Sequence, residues 1–122
     1  MLNKEVFSDL SKVTGYMGAV LSDYTGEILV EDQGQISKGL QELSMQFNES
    51  FRDIHDVSKK ANIGSANSME VTADNATIIM GCSGADERIH LHAFVILAKG
   101  ASTGLAKMTL QSMIKEATKS LS

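Results

Sequence analysis

The stretch Tyr16 to Glu31, Y-M-G-A-V-L-S-D-Y-T-G-E-I-L-V-E, reads as a β-hairpin, and the rest of the chain organises around it. Tyr16–Asp23 and Glu27–Glu31 form its arms. Asp23-Tyr24-Thr25-Gly26 is the turn, with Asp at the first position and Gly at the last, the residues a tight turn favours. The first arm is apolar on both faces at its centre. A strand of that kind lies inside a sheet whose two sides are both covered.

Upstream, Leu2, Val6, Leu10 and Val13 recur at helical spacing, with Asp, Lys and Ser between them. This predicts a short amphipathic helix over Leu2–Thr14, ended by Gly15. Downstream, Gln33-Gly34-Gln35 breaks the strand pattern, and a long helix is expected from Ile36 to Asn62. Its apolar positions are Ile36, Leu40, Leu43, Phe47, Phe51, Ile54, Val57 and Ala61, three or four apart throughout. Such a helix would be about 40 Å long, against about 20 Å for a typical strand. It has more length than its own sheet needs, and Met45, Ile63 and the two phenylalanines give it apolar surface to spare.

Gly64 and Ser65 close that helix. Ser68–Ala73 reads S-M-E-V-T-A, a strand with Met69, Val71 and Ala73 on one face, followed by a two-residue turn at Asp74-Asn75. Ala76–Cys82 is the next strand, and Ser83 to Arg88 a polar loop. Ile89–Ala98, I-H-L-H-A-F-V-I-L-A, is apolar enough to be the central strand. Lys99–Gly104 leads to a last helix, capped by Ser102 or Thr103, with Leu105, Met108, Ser112, Met113, Ala117 and Leu121 facing inward. The chain has no proline, so nothing forces a break in a helix. The whole is one α+β domain over residues 1–122, an α/β sandwich with helices covering both faces of an antiparallel sheet.

The bulk numbers limit the function. At 122 residues, 43% hydrophobic and 21% charged, the chain is a folded globular domain. Its net charge is −4, and Lys59-Lys60 is its only basic cluster. A duplex nucleic acid needs a concentrated positive face, so it is not expected as a partner. The lone Cys82 excludes an intramolecular disulfide and fits a reducing compartment. The longest apolar run, Ala93–Ala98, is far short of a membrane span. Met1 to Val6 mixes charge with apolar residues, unlike a secretory signal. A cytoplasmic location and no membrane insertion are expected.

With this element order, the hairpin M-G-A-V-L-S-D-Y-T-G-E-I-L-V (Met17–Val30) and the closing S-T-G-L-A-K-M-T-L (Ser102–Leu110), the chain resembles the roadblock/dynein light-chain family. The resemblance implies a five-stranded sheet in the order 2-1-5-4-3, with the long helix on one face and the terminal helices on the other. It implies a homodimer in which the Met69–Ala73 strand pairs with its copy and the long helices lie side by side. It also implies a non-enzymatic platform that binds a small Ras-like GTPase and regulates or activates it. Some relatives are instead light chains or scaffold subunits of a motility or polarity complex. The residues assigned to the dimer contact are Met45, Phe47, Phe51, Ile54, Met69, Val71 and Ala73. Those assigned to a partner are Arg52, Asp56 and Arg88. The dimer also has a reason independent of the resemblance. A strand edge displaying Met and Val is an aggregation hazard unless something pairs with it.

No set of residues spells out a catalytic centre or a cofactor site. Gly100 and Gly104 are separated by three residues, and Lys107 comes a turn later, so this is a helix cap rather than a Walker loop. At most it is a weak anion site. His90 and His92 share a strand face, and Asp86 and Glu87 are near, but no third and fourth ligand stands at a diagnostic spacing. No metal is expected. Cys82 has no evident base to activate it. The two arginines, Arg52 and Arg88, are the only candidates for an arginine finger, and each reads first as a solvated surface charge. A small-ligand sensor ranks last among the functions, because no polar set converges inside an apolar pocket.

Overall fold

The computed structural model describes residues 2–84 and 87–122. The five strands are β1 (Tyr16–Asp23), β2 (Ile28–Asp32), β3 (Ser68–Thr72), β4 (Ala76–Cys82) and β5 (Leu91–Ala98). They form one antiparallel sheet in the order β2-β1-β5-β4-β3. Helix α1 (Leu40–Lys60) follows β2 and helix α2 (Thr103–Leu121) closes the chain. This is the α+β architecture and strand order that were expected.

Strand alternation sorts the core into two halves. On one side Ala19 and Leu21 of β1, Ile79 of β4 and Leu91, Ala93, Val95 and Leu97 of β5 meet Ala106, Leu110, Met113, Ile114 and Ala117 of α2. On the other side Val20, Ile78, Met80, Cys82, Phe94 and Ile96 meet Leu40 and Phe51 of α1. The central β5 is buried from Leu91 to Leu97. The Asp23 carboxylate holds the β1–β2 turn, accepting from the amides of Thr25 at 2.9 Å and Glu27 at 3.0 Å.

Three sequence expectations are corrected. The N-terminal segment is two 3₁₀ turns, Lys4–Phe7 and Leu10–Lys12, not an α-helix. A 3₁₀ turn repeats every three residues, and the residues it buries are Phe7, Leu10 and Val13. Helix α1 starts at Leu40 rather than Ile36, because Gly39 before it is left-handed at φ 82°. Its 21 residues make it about 32 Å long. In α2, Leu105, Met108, Ser112 and Leu121 face solvent, while Ala106, Leu110 and Ile114 join Met113 and Ala117 at the inner positions. Ser102 does occupy the N-cap position, but its side chain makes no capping hydrogen bond.

Candidate functional site

Helix α1 is rotated on its sheet. Its buried residues are Leu40, Ser44, Asn48, Phe51 and His55, three of them polar. The apolar stripe lies to one side of that line. Leu43 and Phe47 are half-buried, while Ile54 is 45% and Val57 61% exposed. Among the described residues, strand β3 bonds only to β4, and its other edge is free. Met69 and Val71 pair in register with Met80 and Ile78, so they lie on the α1 face of the sheet. Met69 is half-buried there, and Val71 and Ala73 are exposed. One face thus carries both an unpaired strand edge and the uncovered apolar flank of a helix.

Of the residues assigned to the dimer contact, Phe51 is placed in the core. Phe51 is fully buried within the chain, its ring against those of His55 and His92, so it has no surface to offer a partner. Met45 is 65% exposed but lies about half a turn around the helix from Ile54, at about 100° per residue. It lines a hollow with Thr25, Gly26 and Arg52 beside the β1–β2 turn.

Also on the α1 face, where His55 comes down onto β4 and β5, four ligand-type side chains converge. Cys82 and His92 are direct cross-strand partners on β4 and β5. His90 precedes β5 and shares the face of His92, and His55 comes down from α1. One donor atom of each lies within 4.8 Å of the others. His90 Nε2 is 3.0 Å from Cys82 Sγ and 3.2 Å from His92 Nε2. Asn48 donates from Nδ2 to the Tyr24 carbonyl at 3.0 Å, which leaves its Oδ1 facing His92 Nδ1 at 2.6 Å. His92 therefore carries its proton on Nδ1, and its Nε2 is a bare acceptor. The Gly84 amide donates to Cys82 Sγ at 3.2 Å. Neither ring nitrogen of His55 has a hydrogen-bond partner among the described residues. An unsatisfied buried polar group costs about 1–3 kcal/mol.

Burial shifts each group of the cluster toward its uncharged form. Burial, then the neighbouring His90, His55 and Arg52, push His92 down to about 3. Burial also lowers His55 and His90, with Lys59 adding to it in both. Burial raises the Cys82 thiol, and the Gly84 amide only partly opposes this. Three imidazoles and a thiol thus share one small volume.

A cleft of about 440 Å³ opens over His55 and His90. Arg52, Asp56 and Arg88, the three residues assigned to a partner, all line it, with Tyr24 and Lys59. Tyr24 stacks on the His90 ring with centroids 5.1 Å apart, and the Arg52 guanidinium lies 5.8 Å from the Tyr24 centroid.

No protein-family model matches the chain, and no curated protein matches its sequence. Solved structures do match its shape. Myxococcus xanthus MglB superposes with a TM-score of 0.80 at 14% identity, over 97% of this chain and 95% of that one. A roadblock/LC7 domain from Streptomyces avermitilis gives 0.80 at 14% identity, over 95% and 94%. An MglB in a tetrameric arrangement gives 0.80 at 14% identity, over 94% and 84%. The fold is that of the roadblock domain.

Within that roadblock fold, the Cys/His cluster escaped the sequence reading. His90 and His92 share one face as expected, but their companions do not come from the neighbouring loop. Asp86 lies outside the described residues, and the ligand set forms without Glu87. The companions come instead from the β4–β5 register and from the polar line Ser44–Asn48–His55 on α1. That line, at spacings of four and seven, was the available signal. Likewise Cys82, read as lacking a base, has His90 beside it.

Proposed function

We propose that the chain is a homodimeric platform of the roadblock type that binds a small Ras-like GTPase and regulates it, with no reaction of its own. The observation that carries this reading is the pairing, on one face, of the free β3 edge with the exposed Ile54–Val57 flank of α1. A second copy related by a two-fold axis would extend the sheet through β3 and set the two α1 flanks against each other. Phe47, Ile54, Met69, Val71 and Ala73 are the residues this arrangement uses. The structural likeness to MglB and to roadblock/LC7 domains supports the same direction. Among the described residues, no helix is long and apolar enough to cross a membrane, and we place the platform in the cytoplasm.

The GTPase contact is assigned to the cleft lined by Arg52, Asp56 and Arg88, where both arginines of the chain meet. The test is capture of small GTPases from the same genome, each loaded with GDP or a GTP analogue, together with their hydrolysis rates. Nucleotide-dependent capture is the expected result. Capture that ignores the nucleotide would reassign the chain to a scaffold or light-chain role. No capture of any GTPase would end the GTPase reading.

A further inference from the structure

The convergence of Cys82, His55, His90 and His92 goes unused in the platform reading. We infer that these four side chains form a tetrahedral zinc site that fastens helix α1 to strands β4 and β5. The donor set is three imidazoles and one thiolate, the borderline ligands that zinc takes in closed, four-coordinate structural sites.

The geometry is close to coordination already. With bonds of about 2.0–2.1 Å to nitrogen and about 2.3 Å to sulfur, a tetrahedron places nitrogens about 3.3 Å apart and sulfur about 3.6 Å from nitrogen. His90 Nε2 stands 3.2 Å from His92 Nε2 and 3.0 Å from Cys82 Sγ, and all four donor atoms fall within 4.8 Å of one another. Small side-chain rotations suffice to bring them onto one centre.

Hydrogen bonding alone leaves the cluster in conflict. His92 presents a bare Nε2, because its Nδ1 proton is held by Asn48. A single proton on His90 Nε2 cannot serve both that acceptor and Cys82 Sγ. His55 has two buried nitrogens with no partner among the described residues. One cation at the centre accepts a lone pair from every donor, while the Cys82 proton leaves to bulk water as Sγ becomes thiolate. The surroundings are those of a supported metal site. A metal-binding imidazole typically donates its other N–H to an amide or carboxylate oxygen, as His92 does to Asn48. The Gly84 amide is poised on Sγ. The cleft over His55 and His90 is the entry path.

The test uses the full chain, stripped with a chelator and dialysed, then titrated with cobalt(II) alone. One equivalent is expected to give the intense visible bands of tetrahedral cobalt and a near-ultraviolet thiolate charge-transfer band. One equivalent of zinc should erase both. Cys82→Ser should lose the charge-transfer band. His55→Ala and His92→Ala should each weaken zinc binding at least about tenfold, since loss of even an outer partner typically costs ten- to hundredfold. Circular dichroism checks that each variant is folded, and the unmodified chain's own cobalt spectrum decides the matter if one is not. A pale octahedral spectrum, no saturation at one equivalent, or a Cys82→Ser spectrum like that of the unmodified chain would overturn the proposal.

Discussion

On the α2 face of the sheet, helix and strands meet through alanines and aliphatic side chains, and the backbones run close together. Gly81 of β4 shows how close. A Cβ there would come within 2.8 Å of Gln111 Nε2 and 3.1 Å of Ile114 Cδ1. On the α1 face the side chains under the helix include Ser44, Asn48, His55 and His92. The rings of Phe47 and Phe51 hold α1 further from the sheet, and its apolar flank stays open. One face is finished within the chain, whereas the other carries polar ligands at one end and uncovered apolar surface at the side. The difference teaches that apolar periodicity shows where a helix wants a partner, and that the partner need not be its own sheet.

The largest expected effect tests the finished face. Leu110→Ala removes a fully buried side chain and should lower the unfolding free energy by about 2–5 kcal/mol in urea titration. A loss below about 1 kcal/mol would show this face to be looser than described. Next, Gly81→Ala presses on the ends of the Gln111 and Ile114 side chains, which must swing aside, so it should cost about 1 kcal/mol, the low end of overpacking. A loss above about 3 kcal/mol in thermal unfolding would mean that those side chains are locked in place.

The third effect belongs to the other face. Asn48→Ala strands His92 Nδ1 and the Tyr24 carbonyl without their partners, at about 1–3 kcal/mol. The nitrogen shifts of His92 should also move, since its tautomer would no longer be held. Unchanged shifts would contradict the Asn48 assignment.

The smallest effect on folding is the sharpest contrast. Ile54→Lys, on the open flank, should change chain stability by no more than about 0.5 kcal/mol. The same substitution should weaken self-association at least about tenfold, or about 1.4 kcal/mol. If it unfolds the chain instead, Ile54 belongs to the monomer core and the two faces are not different in kind.

The parts of the molecule that were legible in sequence share one feature, a strong local period. The hairpin at Asp23–Gly26 and the strands Tyr16–Asp23 and Ala76–Cys82 were placed to the residue. The strand order came through the family resemblance, since alternation alone does not say which strands are neighbours. Where two periods compete, the reading slipped. Leu2, Val6, Leu10 and Val13 fit a helix, but Phe7, Leu10 and Val13 fit the 3₁₀ period that burial selects. Leu105 and Met108 fit a helical face with Met113 and Ala117, yet the first half of α2 buries Ala106 and Leu110 instead. The Cys/His cluster was illegible for a different reason. Cys82 and His92 become neighbours only through the β4–β5 register, and His55 joins them only because α1 is rotated away from its apolar stripe.

The central claim is that the open face, with its β3 edge and α1 flank, is closed by a second copy of the chain. Sedimentation equilibrium measures this most directly. The account predicts a single species at twice the 13.1 kDa chain mass, shifting toward the monomer in Ile54→Lys. A folded species of 13.1 kDa at the highest attainable concentration would contradict it.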